Sequence, residues 1–101
     1  MMGNVNWITP EQQEAEALDV WRASTVVSRF QARAALREAG LRDQVETIIA
    51  DPNTSPIIVD AWNDAQEFRR MSPTIQALAG ELGLDDEAVD QLFKQAAQIE
   101  A

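Results

Sequence analysis

Proline is the residue a helix interior tolerates least, because it lacks the backbone N–H and its ring clashes with the preceding turn. This chain has four prolines. Three follow a hydroxyl residue directly, at Thr9-Pro10, Ser55-Pro56 and Ser72-Pro73. A Ser or Thr cap with proline at the first helical position is a start signal. At the first of these, Gln12 stands where a capping box with Thr9 needs it. The fourth, Pro52, lies in the turn Asp51-Pro52-Asn53-Thr54. Stops fall between the starts. Gly40, with Leu41 behind it, has the order of a Schellman-type helix end, and Gly83 permits another left-handed turn.

The apolar spacing agrees with this punctuation. Residues 10–39 contain no proline and no glycine, and Val20, Ala23, Val27, Phe30 and Ala34 recur there at intervals of three and four. They read as one long helix of about 45 Å, or as two shorter ones parting near Ser24-Thr25. Helices follow over 42–50 (Val45, Ile48, Ile49), 56–71 (Ile58, Ala61, Trp62, Ala65, Phe68), 73–82, and from Asp85 to about Ile99 (Val89, Leu92, Phe93, Ala96). No strand signal stands out. The expectation is an all-α small helical bundle of about five helices. It has a long N-terminal helix and a helix-turn-helix-like C-terminal pair. Residues 9–101 form a single domain, preceded by residues 1–8 as a flexible or docking tail.

At 101 residues with 46% hydrophobic side chains, the chain can bury one modest core. It has no histidine, cysteine or tyrosine. That removes Ser–His and Cys–His nucleophile systems, disulfides and the usual zinc ligands. No apolar run is long enough for a membrane span or signal peptide. The pairs Asp60/Asp64 and Asp86/Asp90 stand at i, i+4, where two carboxylates could share a proton or a hard cation, although such pairs are far more often an exposed polar face. Asp85-Asp86-Glu87 lacks the glycine and alternating spacing of a calcium loop. No phosphate-cradling glycine loop is present. The chain is expected to be non-enzymatic, with no cofactor, metal or small-molecule substrate.

Net charge is −9, unevenly distributed. Residues 1–21 carry four acids and no base, whereas residues 22–42 carry five arginines and one acid. The rest is acidic. The stretch ALAGELGLDDEAVDQLF has the small-residue and glycine spacing of a DNA-reading helix pair. Its second helix opens with Asp85, Asp86 and Glu87, however, where base and phosphate contacts need Arg, Lys, Asn or Gln. No nucleic-acid partner is expected. Arg29, Arg33 and Arg37, spaced by four, line one helix face. They either pair with acids of neighbouring helices or dock an acidic partner or another copy. Trp62 belongs to a core face, and Trp21 to the core edge. Trp7, next to Ile8, either folds back or inserts into a partner. Trp7, Ile8, Arg29, Arg33 and Arg37 are therefore the candidate partner-binding residues.

The stretches VVSRFQARAALREAGL and AWNDAQEFRRMSPTIQALAGELGLDDEAVDQLF resemble a small module of phage and prophage genes. It is similar to proteins encoded near tail-fibre or tail-tip genes. The resemblance covers about residues 26–99 and leaves out the Trp7 segment. It implies a structural or tail-assembly role through protein–protein contacts. The implied partners are other tail or virion proteins, or copies of the chain itself. The implied location is the virion tail, or the host bacterial cytoplasm during assembly. It transfers no functional residue. The alternatives are a phage-encoded acidic inhibitor or regulator of a host protein and, last, a helix-turn-helix DNA-binding protein.

Overall fold

The computed structural model describes residues 9–101. Six helices and a two-stranded antiparallel sheet follow in the order α1 (Pro10–Ser24), β1 (Val26–Ser28), α2 (Arg29–Glu38), α3 (Arg42–Ala50), α4 (Pro56–Asp64), β2 (Glu67–Arg69), α5 (Pro73–Leu82) and α6 (Asp86–Ala97). The fold is all-α with this one small sheet.

The punctuation works as its chemistry requires. Thr9 and Gln12 form a reciprocal capping box at α1, and Pro10, Pro56 and Pro73 occupy the first positions of α1, α4 and α5. Ser72 and Asp85 cap α5 and α6 through their side chains, whereas Ser55 makes no side-chain capping bond. Both glycine stops are Schellman ends. Gly40 (φ 75°) and Gly83 (φ 71°) adopt the left-handed conformation. The N–H groups of Leu41 and Leu84 then reach back to the carbonyls of Leu36 and Ala79 at 2.8 and 2.9 Å.

Residues 10–39 are two helices, parted where the sequence leaves room for it, at Thr25. Ser24 and Thr25 turn their hydroxyls back onto the carbonyls of Val20 and Trp21 and close α1. The β-branched run Thr25-Val26-Val27 then takes extended backbone. Ser28 and Gln31 form a second capping box that restarts the helix. A matching break ends α4 at Asp64, so the helix expected over 56–71 gives way to β2. The strands pair Val26 with Arg69, Val27 with Phe68 and Ser28 with Glu67. Val27 and Phe68 point inward, and their neighbours point out.

The restart changes the phase of α2, which corrects Phe30, while Val20 and Ala23 of the same expected face lie exposed on α1. Ala32, Ala35 and Leu36 of α2 face inward, leaving Phe30 51% exposed, and Val20 on α1 is 68% exposed. The core gathers Val27, Val45, Trp62, Phe68, Leu78 and Phe93 among others. Trp62 is 2% exposed and stacks on Phe68 with ring centroids 5.8 Å apart. At the centre is a cavity of about 60 Å³ with an almost wholly apolar lining.

α1 stands apart from this body. It contains no buried residue, and the molecule extends 61 × 31 × 21 Å. Its radius of gyration is 16.6 Å, against about 13 Å for a compact chain of this length. Only the last turn engages the body: Trp21 packs at the core edge and Arg22 reaches α6.

Candidate functional site

Where α1 meets the body, one carboxylate holds two arginines. Asp90, 5% exposed, sits on the inner side of α6 and accepts from Arg22 through Nε (3.1 and 3.2 Å) and Nη2 (2.7 Å). It also accepts from Nε of Arg70 at 2.8 Å. Arg70 directly follows β2, so the sheet delivers it into the interior, where it is 1% exposed. Its Nη2 donates to the Asp86 carbonyl (3.2 Å) and carboxylate (3.4 Å). The Arg22 guanidinium, then Arg70, holds the Asp90 carboxyl below the usual carboxylate range against the opposing effect of burial. Asp90 in turn raises Arg22.

The Asp86/Asp90 pair is thus split: Asp86 is exposed, as its i, i+4 spacing suggested, whereas Asp90 is buried. Both residues are committed to arginine, and the fully ionised Asp90 has its lone pairs occupied. Asp60 and Asp64 are exposed. Among the described residues no cluster of three or more metal-ligating side chains forms. Nothing in the spacing around Arg70 marks it as buried. A buried arginine becomes legible only through its partner, which lies twenty positions along the chain.

The arginine stripe meets the C-terminal end of α4. Arg29 Nη1 donates to the Asn63 carbonyl at 2.8 Å, and Arg33 Nη2 donates to that of Trp62 at 2.7 Å. These are last-turn carbonyls without helical partners, at the negative end of the helix dipole. Carbonyls therefore take the place of the acids expected to pair with these arginines. Among the described residues Arg29, Arg33 and Arg37 form no salt bridge.

Arg33 lies over the Trp62 ring, its Cζ 4.6 Å from the centroid, and Arg42 approaches the same ring at 5.7 Å. Trp62 Nε1 donates to Glu46 at 3.0 Å. The Nε atoms of Arg33 and Arg42 are buried without a hydrogen-bond partner. Burial, then the positive charges of Arg42 and Arg29, pulls Arg33 below the usual arginine range. Glu46 pairs with Arg42 at 3.7 Å and offsets part of this charge. Arg37 is exposed at its far end. Trp7 and Ile8 lie outside the described residues.

The C-terminal pair keeps its glycine turn, but its helices separate around the core. α5 lies chiefly against α3 and α4, and α6 against α2. The start of α6 presents Asp85, Asp86 and Glu87 to solvent, an arrangement that repels phosphate. No helix among the described residues is long and apolar enough to cross a membrane. Comparisons with protein-family models, curated proteins and solved structures find no match to this chain.

Proposed function

We propose that this chain is a non-enzymatic phage structural or tail-assembly protein that works through protein–protein contacts. The observation that carries the reading is α1, a fifteen-residue helix with no buried side chain, held at one end by Trp21 and Arg22. A free helix of this length is marginal in water. A chain that caps it fully at its N-terminus and leaves its sides bare has a surface suited to contact with another protein. Support also comes from the arginine stripe of α2 and the exposed Phe30 beside it. The phage setting rests on the resemblance carried by residues 26–99. The chemistry of the site points the same way, since its carboxylates and guanidiniums are spent on one another or on backbone carbonyls.

Mass spectrometry of purified particles, together with pull-down of tail proteins by the tagged full chain, tests the reading. The expected result is recovery of the chain in the tail fraction or with tail components. Trp7→Ala should reduce that recovery without lowering the melting temperature. Absence from particles together with capture of no tail component would overturn the assignment. Stoichiometric capture of a host protein instead would favour the regulator alternative.

A further inference from the structure

Two helical faces of this chain carry opposite charge, and neither has an ion pair of its own among the described residues. On α1, Glu16, Asp19 and Val20 stand at i, i+3 and i+4, so they share one face. All three are exposed, and neither acid forms a salt bridge among the described residues. On α2, Phe30, Arg33 and Arg37 stand at i, i+3 and i+7 on one face. Phe30 and Arg37 are exposed, and Arg33 is half-buried with its Nη2 donating to the Trp62 carbonyl. Each face thus offers two like charges and one large exposed apolar side chain.

We infer that α1 of one copy docks antiparallel on the arginine face of α2 in a second copy, setting Glu16 and Asp19 against Arg37 and Arg33, and Val20 against Phe30. The residue order on the two helices requires the antiparallel sense. Glu16 to Val20 spans about 6 Å and Phe30 to Arg37 about 10 Å along their axes, a difference that an arginine side chain bridges. Within one copy the arm is fastened elsewhere, with Arg22 on Asp90 of α6. A second copy is the occupant that supplies both a complementary charge and an apolar residue at matching positions. Because arm and patch are different surfaces, the smallest closed form is a pair exchanging arms. Longer heterologous chains follow if that exchange does not close. This inference deepens the reading of the chain as a contact module, but it concerns only contacts between copies.

Sedimentation of the purified full chain across a concentration series tests it, with circular dichroism melts showing that each variant is folded. Wild type should rise above the mass of one chain as concentration increases. Glu16→Lys/Asp19→Lys and, separately, Arg37→Glu should each remain single. An equimolar mixture of these two variants should associate again, because the unaltered arm of Arg37→Glu meets the unaltered patch of Glu16→Lys/Asp19→Lys. Phe30→Ser should weaken association while leaving the melt unchanged. Wild type that stays single at every concentration would overturn the inference, as would charge-reversed variants that associate as wild type does. So would failure of the mixture to associate. None of these outcomes bears on recovery of tail proteins in the pull-down, so the two readings fail separately.

Discussion

α1 and α6 begin alike and end differently. Each opens on a side-chain cap, Thr9 or Asp85, and carries acid in its first turn. Yet α6 buries Val89, Asp90, Phe93 and Ala96, and α1 buries nothing. Caps and propensity decide that a helix can form. Apolar side chains at intervals of three and four, long enough to fill a core, decide that it docks. α6 has that stripe, whereas α1 before Trp21 has only Leu18 and Val20 among alanines, glutamines and acids. The two helices meet where Asp90 of α6 holds Arg22 of α1 and the buried Arg70 together, and where Lys94 of α6 lies over the Trp21 ring.

The largest effects should come from the body side of this contrast. Asp90→Ala strands the buried Arg70 and should cost about 3–5 kcal/mol in denaturant unfolding. Trp62→Ala should cost a similar amount, about 3–5 kcal/mol, by emptying the stack on Phe68. A loss below about 1 kcal/mol for either would mean that the site relaxes or hydrates freely.

Acid should act through the same carboxylate. Its folded-state pKa is depressed, so its stabilisation is fully present above the unfolded value of about 3.9 and is lost as pH falls through the lower folded value. Below about pH 4, wild type should therefore lose stability more steeply than Asp90→Asn. Parallel acid limbs for the two proteins would remove Asp90 from this role.

Cap deletion separates the two helices with the same chemistry. Asp85→Ala should cost about 1 kcal/mol of global stability. Thr9→Ala should reduce helix content while leaving the global value within about 0.5 kcal/mol of wild type. Equal global costs would mean that α1 folds as part of the body. The smallest effect belongs to the arm's exposed side, where Val20→Ser should stay within about 0.5 kcal/mol by the same denaturant measurement.

Much of the fold was legible because it is written in local chemistry. The Thr9–Gln12 box, the prolines at helix starts, the left-handed Gly40 and Gly83 and the Asp85 cap all act within a few residues of themselves. Trp62, Leu78, Val89 and Phe93 lie in the core because each sits on the apolar stripe of a helix whose start the sequence marks. The sheet was not legible. Its strands are three residues each, and their pairing joins segments about forty positions apart, which no periodicity in one segment reveals. One local signal did exist: Ser28 with Gln31 repeats the Thr9–Gln12 box and marks a helix start inside the supposed long helix. Missing that restart is why Phe30 was placed in the core. The site followed the same rule. The arginine stripe was visible as a spacing, but its acceptors, the carbonyls of Trp62 and Asn63, belong to a helix end produced by the unforeseen break at Asp64.

Native-state hydrogen exchange, at concentrations where the chain is a single copy, tests most directly whether α1 is an arm and α6 part of the body. Core amides of α6, such as those of Phe93 and Ala96, should exchange only through global unfolding. Amides of α1 from Ala15 to Asp19 should exchange through local opening at a far lower free energy, and Arg22→Ala should speed them further without changing α6. If α1 amides are protected to the same free energy as those of α6, the helix is packed along its length and the arm does not exist.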